Sequence, residues 1–298
     1  MSDFVQQQNS ECDFKSSDSW VILSPIEQSI KRKIEAVGTP LKDWDIQINY
    51  GIKTGFNDAF IISTEKRNEI LANCKDADEC QRTAELIRPI LRGRDIKRYG
   101  YVDNGLYLIN THNGVRGRIP RIKIEDYPAV KAHLDQYWDK ISTRADKGDT
   151  PYNLRNCAYL EDFNKPKVMW KIIGCNINFC FDEMQMFCNN AVDIMVGDKD
   201  RLIQFVGLMN SKLFDWYLKL TTEAEVQGGG IQLYVTTLEK TLVKLDFSNS
   251  LTDVIYQRIH QLVDDDYVDE KIFDAFLLTK EESDFIRNDK RVNRSGEQ

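Results

Sequence analysis

The chain has few of the residues that most often carry catalysis or bind metals. It contains only three histidines, His112, His133 and His260, which are scattered along its 298 residues. Its seven cysteines are an odd number without a C-x-x-C pair, and no histidine lies near the closest groups of them. Histidine-based triads and zinc sites need these residues at characteristic spacings. We therefore predict no metal site and no histidine-based catalytic site, and we expect reduced thiols instead of a disulfide framework.

Long apolar runs are also missing. No run approaches the roughly 20 residues that a membrane-spanning helix needs. Residues 1–19 are polar and acidic, where a secretory signal would be basic and then apolar. We predict a cytoplasmic protein that does not contact a membrane, with residues 1–19 as a flexible tail.

No pattern in the sequence is typical of a nucleotide or methyl-donor site. Gly51 to Gly55 is one residue too short for a P-loop and lacks its Lys-Ser/Thr ending. Asp269-Glu270-Lys271 fits half of a common nuclease motif, but it lies in an acidic helical segment without a partner acid. A solvated helix face is the better interpretation of these three residues. We predict no cofactor and no catalytic residue.

The charge is distributed unevenly along the chain. The 40 lysines and arginines against 47 acids give a net charge of −7, but residues 82–123 hold ten basic residues and three acids, a local charge of +7. Local charge, and not the total, decides where an anionic polymer can bind. Residues 82–123 are therefore a candidate nucleic-acid contact in an otherwise acidic protein.

Two stretches organise the rest of the chain. Residues 50–62, YGIKTGFNDAFII, place two glycines around Lys53 before an apolar strand, which predicts a tight loop that exposes its backbone and one cation. Residues 88–99, RPILRGRDIKRY, gather five basic residues around Gly93 and end on an aromatic. This composition is typical of contacts with phosphates and base edges. The plain alternatives are an ordinary turn and a solvated basic surface.

Hydrophobic periodicity predicts a mixed α/β (α+β) fold. Ser24-Pro25-Ile26-Glu27 is a capping box with proline at the first helical position. Residues 41–49 alternate like a strand that leads into the glycine loop. Residues 201–220 are apolar nearly all round, which predicts one central buried helix. After residue 247 the chain becomes acidic and helical, so we predict a core at residues 20–247 and a helical tail at 248–298.

The order and spacing of several motifs resemble a known family. The motifs are IEAVGTPLKDW, GIKTGFNDAFII, IRPILRGRDIKRY, FNKPKVMW and LMNSKLF, followed by a glycine loop. Over most of residues 20–247 they resemble the TaqI-like C-terminal specificity domain of type IIG restriction-modification enzymes. The resemblance implies a target recognition domain, an α/β core with helical spacers at both ends that reads a short DNA sequence. Methyltransferases attached to such modules carry a Pro-Pro pair, whereas all seven prolines here are isolated.

We therefore predict sequence-specific binding of double-stranded DNA without catalytic activity in this chain. The chain would be the specificity domain or subunit of a restriction-modification system, and its partner a methyltransferase or endonuclease domain or subunit. One alternative is a truncated or decoy specificity subunit that acts as a protein-interaction module for a methyltransferase. Another is a hydrolase that uses Asp149, Asp162 or Asp182.

The candidate DNA-binding residues come mainly from the two organising stretches, with further basic residues along the chain. Because target specificity differs between family members, the resemblance does not indicate which of them read bases. The candidates are Lys53, Thr54, Arg88, Arg92, Arg94, Lys97 and Arg98, and in second rank Arg144, Arg155, Lys165, Lys167 and Lys171.

Overall fold

Helices and short strands alternate along the chain, which confirms the predicted mixed α/β class. The structure, a computed structural model, describes residues 23–174, 178–221, 225–226 and 230–292. The α-helices of this part are α1 Pro25–Val37, α2 Asn57–Phe60, α3 Thr64–Ala72, α4 Ala77–Leu86, α5 Pro128–Asp135, α6 Trp138–Ile141, α7 Lys199–Asn210, α8 Lys212–Thr221, α9 Val235–Leu238, α10 Asn249–Ile259, α11 Asp265–Ala275 and α12 Lys280–Asn288. Its strands are β1 Thr39–Pro40, β2 Ile46–Tyr50, β3 Ile61–Ser63, β4 Ile87–Leu91, β5 Ile96–Lys97, β6 Gly100–Tyr101, β7 Leu106–Ile109, β8 Lys167–Lys171, β9 Ile173–Gly174, β10 Phe179–Asp182, β11 Phe187–Cys188, β12 Val192–Gly197, β13 Glu225–Val226, β14 Gly230–Gln232 and β15 Leu242–Val243.

A central antiparallel sheet separates two hydrophobic cores. Its strand order is β10-β8-β12-β2. Successive side chains of a strand point to opposite faces. On one face Val168 and Trp170 join a first core with helices α1, α7, α8 and α10 to α12. On the other face Met169 and Cys180 join a second core. Both faces are covered, so the inner strands have nearly continuous apolar sequences.

The second core lies between the central sheet and a second sheet. This sheet has the order β11-β4-β7-β3, with β11 parallel to β4 and the other pairs antiparallel. Helices α3 and α5 pack against each other here, and α4 leads directly into β4. The glycine loop after β2 connects the central sheet to this second layer, so the loop is fixed between two packed units.

The predicted central helix at residues 201–220 is two helices. Helix α7 ends at Asn210 and α8 begins at Lys212, because Ser211 has an extended backbone. The Ser211 hydroxyl accepts a hydrogen bond from the Phe214 amide at 3.2 Å, and the Asp269 carboxylate accepts one from the Lys212 amide at 2.8 Å. These two caps accept hydrogen bonds from backbone amides at the start of α8 that have no partner within the helix. Both helices are largely buried, as predicted.

The helices at the two ends of the described chain pack together. Ser24 and Glu27 form the predicted capping box of α1. On the same helix, the Lys33 ammonium lies 2.6 Å from the Glu282 carboxylate of α12, and Arg291 lies 2.6 Å from Glu27. Helices α10 to α12 contribute to the first core, so the terminal helices form one layer over it. No helix in the described ranges is long and apolar enough to cross a bilayer.

Candidate nucleic-acid interface

The two organising stretches meet at one end of the central sheet. Strand β2 ends at Tyr50, β8 ends at Lys171 and β12 begins at Val192. The strand register pairs Lys171 with Val192, and Tyr50 with Asp193. These antiparallel neighbours therefore turn at the same edge. We call this surface the loop end, and it consists of residues 50–55, 92–95, 171–174 and 189–191.

One glycine from each organising stretch packs against the turn at residues 189–192. A Cβ on Gly51 would lie 2.1 Å from the Asn189 carbonyl oxygen, which no side chain can tolerate. A Cβ on Gly93 would lie 3.3 Å from the Ala191 carbonyl oxygen. Gly51 is buried, so its role is close packing and not the exposed backbone that the sequence predicted. The loop end is thus a tightly assembled surface.

Arg144, a second-rank candidate, is a buried internal anchor of the glycine loop. Its guanidinium donates to the carbonyl oxygens of Thr54, Asp146, Pro151 and Asn153, and it stacks on a phenylalanine ring at 4.3 Å. Burial lowers the pKa of Arg144 to about 10. Thr54 is also buried, and its hydroxyl donates to a neighbouring asparagine. Both residues shape the loop, and neither side chain lies on the surface.

Lys167 is likewise inside the protein. Its ammonium lies 2.5 Å from the Asp182 carboxylate and donates to the Phe163 carbonyl oxygen at 2.8 Å, and both charged side chains are fully buried. Asp182 also accepts hydrogen bonds from the backbone amides of Met184 and Met186. The pair joins β8 to β10 and the segment after it, so the structure gives Lys167 a structural position in place of the predicted DNA contact.

Two arginines of residues 88–99 are engaged by carboxylates. Arg92 holds Asp95 through two side-chain hydrogen bonds of 3.0 Å, which closes the turn at Gly93. Burial alone would raise the pKa of Asp95, but the hydrogen bonds from Arg92 outweigh it and leave that pKa below its usual range. Arg98 pairs with Asp265 of α11 at 2.9 Å and also donates to the Asn210 carbonyl oxygen. These contacts are structural.

Three further candidates form ion pairs on the surface. Lys53 and Arg155 both pair with Asp146, at 3.3 and 3.0 Å, and Lys165 pairs with Asp162 at 2.7 Å. The three basic side chains are about half exposed. Exposed pairs contribute roughly 0 to 1 kcal/mol. A phosphate can therefore replace Asp146 as the partner of Lys53 or Arg155 at little cost, whereas Asp162 is only 8% exposed and holds Lys165 more firmly. The exposed head groups of all three residues stay available to DNA.

Arg94 and Lys97 are the predicted candidates with the greatest freedom. Both are exposed, and neither side chain has a hydrogen bond or ion pair with any residue that the structure describes. The side chains of Arg116 and Lys123 are also exposed and without a bond to the described residues. The sequence indicated these two residues only through the positive charge of residues 82–123. Arg88 donates to two neighbouring amide side chains and stacks on a phenylalanine ring. Lys171 is partly exposed beside Gly93.

The acids of the hydrolase alternative are each bonded to a different cation. Asp149 pairs with Arg121 at 3.1 Å, while Asp162 and Asp182 hold the lysines described above. Asp269, expected on a solvated face, is buried, and burial raises its pKa to about 6. Within the ranges that the structure covers, no group of three or more histidine, cysteine or acidic residues could hold a metal.

A comparison of the sequence with protein families matches one family. The TaqI-like C-terminal specificity domain matches residues 88–241, which is more than half of the chain. The chain belongs to this family. The match includes the Gly93 turn, β8, β10, β12 and helices α7 and α8, whereas the glycine loop at residues 50–55 lies outside it. No curated protein matches the sequence.

The specificity domain is similar in fold to part of a solved restriction-modification enzyme. The type IIL enzyme MmeI, solved in complex with DNA, is 12% identical and covers 74% of this chain, with a TM-score of 0.51. The type IIG restriction endonuclease BpuSI is 13% identical and covers 80%, with a TM-score of 0.48. The chain spans 28% of the length of each enzyme. The likeness to MmeI confirms the fold class that the sequence resemblance implied.

Proposed function

We propose that the specificity domain binds double-stranded DNA sequence-specifically through its loop end, for a restriction-modification system. The observation that carries this proposal is the position of Arg94 beside the turn at residues 189–192. It is an exposed cation without an internal partner on a surface that the packing of Gly51 and Gly93 holds in place. Unengaged guanidinium groups bind phosphates and guanine edges well.

The basic residues divide into contacts of different rank. Arg94 and Lys97 bind phosphates directly. Lys53, Arg88, Arg155, Lys165 and Lys171 contribute once the duplex is in place, several of them by exchanging a protein carboxylate for a phosphate. Thr54, Arg92, Arg98, Arg144 and Lys167 support the surface from inside. Such a division is expected where phosphate contacts set the register and a few side chains read bases.

The chain has no catalytic activity of its own in this proposal, and a methyltransferase or endonuclease domain or subunit acts on the bound DNA. The alternative, a decoy subunit that only docks on a methyltransferase, predicts no DNA affinity. Selection of bound sequences from a pool of random duplexes separates the two. Enrichment of one short sequence supports the proposal, and recovery of the unselected pool contradicts it.

DNA binding should weaken steeply with salt although the protein is acidic overall. If Lys53, Arg94 and Lys171 of the loop end and Arg155, which shares Asp146 with Lys53, each displace one counterion, the slope of log affinity against log salt should be about −3.6, from roughly −0.9 for each neutralised phosphate. Fluorescence anisotropy between low and physiological salt measures this slope. A flat response would mean that these side chains do not face DNA.

Replacing Arg94 by alanine should weaken binding on every sequence and make the salt slope shallower by about one unit. The melting temperature should stay nearly unchanged, because Arg94 makes no internal bond with the described residues. Arg92→Ala is the matched control on the other side of Gly93. It should lower the melting temperature, because the buried Asp95 loses its cationic partner and the two hydrogen bonds from the guanidinium. Parent-like binding by Arg94→Ala would remove Arg94 from the interface.

A further inference from the structure

The turn at residues 189–192 is held by backbone hydrogen bonds on all sides. The Val192 amide donates to the Asn189 carbonyl oxygen across the turn at 3.0 Å. The backbone amide of Asn189 donates to the Leu91 carbonyl oxygen of β4 at 3.0 Å, and the Ala191 carbonyl oxygen accepts from the Ile172 amide at 3.2 Å. The turn is therefore tied to both sheets of the protein, and its backbone position is fixed.

Glycines on both sides limit any movement of this turn. Gly51 approaches Asn189 and Val192 more closely than a side chain allows, and its amide donates to the Val192 carbonyl oxygen at 2.9 Å. Gly93 approaches Ala191 from another loop. Interfaces that read a partner accurately present their contact groups on such preorganised supports.

Asn190 is the polar side chain that this turn presents outward. Asn189 is buried, and its amide oxygen accepts from the Ala191 amide at 3.3 Å. Asn190 is exposed, and its side-chain amide makes no hydrogen bond within the described part of the chain. Its φ is not positive, so the backbone does not require asparagine here. No internal role accounts for this side chain.

We propose that Asn190 reads an adenine in the major groove, with the exposed methyl group of Ala191 against the paired thymine. An asparagine amide matches adenine in two bonds, since its oxygen accepts from N6 and its nitrogen donates to N7. A small apolar side chain fits the thymine methyl group. Arg94 lies on the neighbouring Gly93 turn and supplies the adjacent phosphate contact. The proposal rests on the proposed DNA-binding function and adds a base and a reading residue to it.

The test uses the full chain and its own selected sequence. Asn190→Ala should lose preference at one A·T pair, by roughly 10- to 100-fold, and keep it at the other positions. Asn190→Asp should shift the preference at that position toward cytosine, because a carboxylate accepts a hydrogen bond from the N4 amino group of cytosine. Asn68→Ala, at an exposed asparagine of α3, should keep the parent sequence.

Modified DNA distinguishes base reading from a structural effect. Replacing the proposed adenine by 7-deazaadenine removes the N7 acceptor. This replacement should weaken DNA binding by the parent several-fold and leave DNA binding by Asn190→Ala unchanged. Equal weakening of both proteins, or an unchanged preference in Asn190→Ala, would overturn the reading role while the DNA-binding function stands. A parent chain without any base preference would overturn the function as well.

Discussion

Replacing Lys167 by methionine should lower the free energy of unfolding by about 3 to 5 kcal/mol, the usual cost of leaving one member of a buried ion pair without its partner. Lys167 and Asp182 are both fully buried, and their charged atoms are 2.5 Å apart. Methionine has a similar volume, so the loss comes from the unpaired Asp182 carboxylate and not from a cavity. Urea unfolding, followed by tryptophan fluorescence, measures the change.

Lys131→Met provides a matched control for this variant. Lys131 also pairs with an aspartate, Asp135, at 2.7 Å, but the two side chains are 39% and 43% exposed. We expect its free energy of unfolding to stay close to that of the parent, because exposed ion pairs contribute little. If Lys167→Met instead unfolds like the parent and shows a shallower salt slope for DNA, the lysine is a DNA contact after all.

Asp193→Asn should become more stable relative to the parent as the pH rises from 4 to 8. Asp193 lies on the inner strand β12 near the loop end and is 2% exposed. One of its oxygens has no partner among the described residues, and burial raises its pKa to about 7. The folded parent therefore holds a proton that the unfolded chain, with an ordinary pKa near 3.9, has already released. The parent loses stability between about pH 4 and 7 and little beyond, whereas asparagine does not ionise. The relative gain should be on the order of 2 to 4 kcal/mol, since each unit between the folded and unfolded pKa corresponds to about 1.4 kcal/mol.

Asp95→Asn is the control with the opposite sign. The pKa of Asp95 is lowered in the folded protein, so the stability that it contributes is present above its unfolded pKa and is lost as the pH falls. Its replacement should therefore cost more at pH 7 than at pH 3. Thermal melts of both variants across this range test the pair. Parallel pH profiles for Asp193→Asn and the parent would show that Asp193 ionises normally in the folded state.

Local patterns in the sequence predicted the elements that have local causes. The capping box at Ser24 and Glu27 starts α1, and the alternation before Tyr50 became β2, although only from Ile46 onward. The break at Ser211 was missed because the apolar pattern continues through it. Ser211 is a local capping residue, and the second cap comes from Asp269, far along the chain. Long-range caps leave no nearby sequence signal.

The orientation of the basic residues could not be read from the sequence. Strand β8 is covered on both faces, so its sequence pattern does not distinguish a buried lysine from an exposed one. Lys167 and Lys171 were therefore predicted alike as DNA contacts. Arg144 is buried because four carbonyl oxygens from folded loops converge on it. Gly51 and Gly93 both lie where separate chain segments approach closely, and at Gly51 no side chain would fit.

The contact between Glu27 and Arg291 brings the first and last described helices to neighbouring points. These two side chains are 2.6 Å apart, so the two ends of the described chain lie close together. A unit with adjacent attachment points can be spliced into a host loop without separating the host's own strands or helices. Insertion of residues 23–292 into a surface loop of another protein should therefore leave the fold of that protein intact.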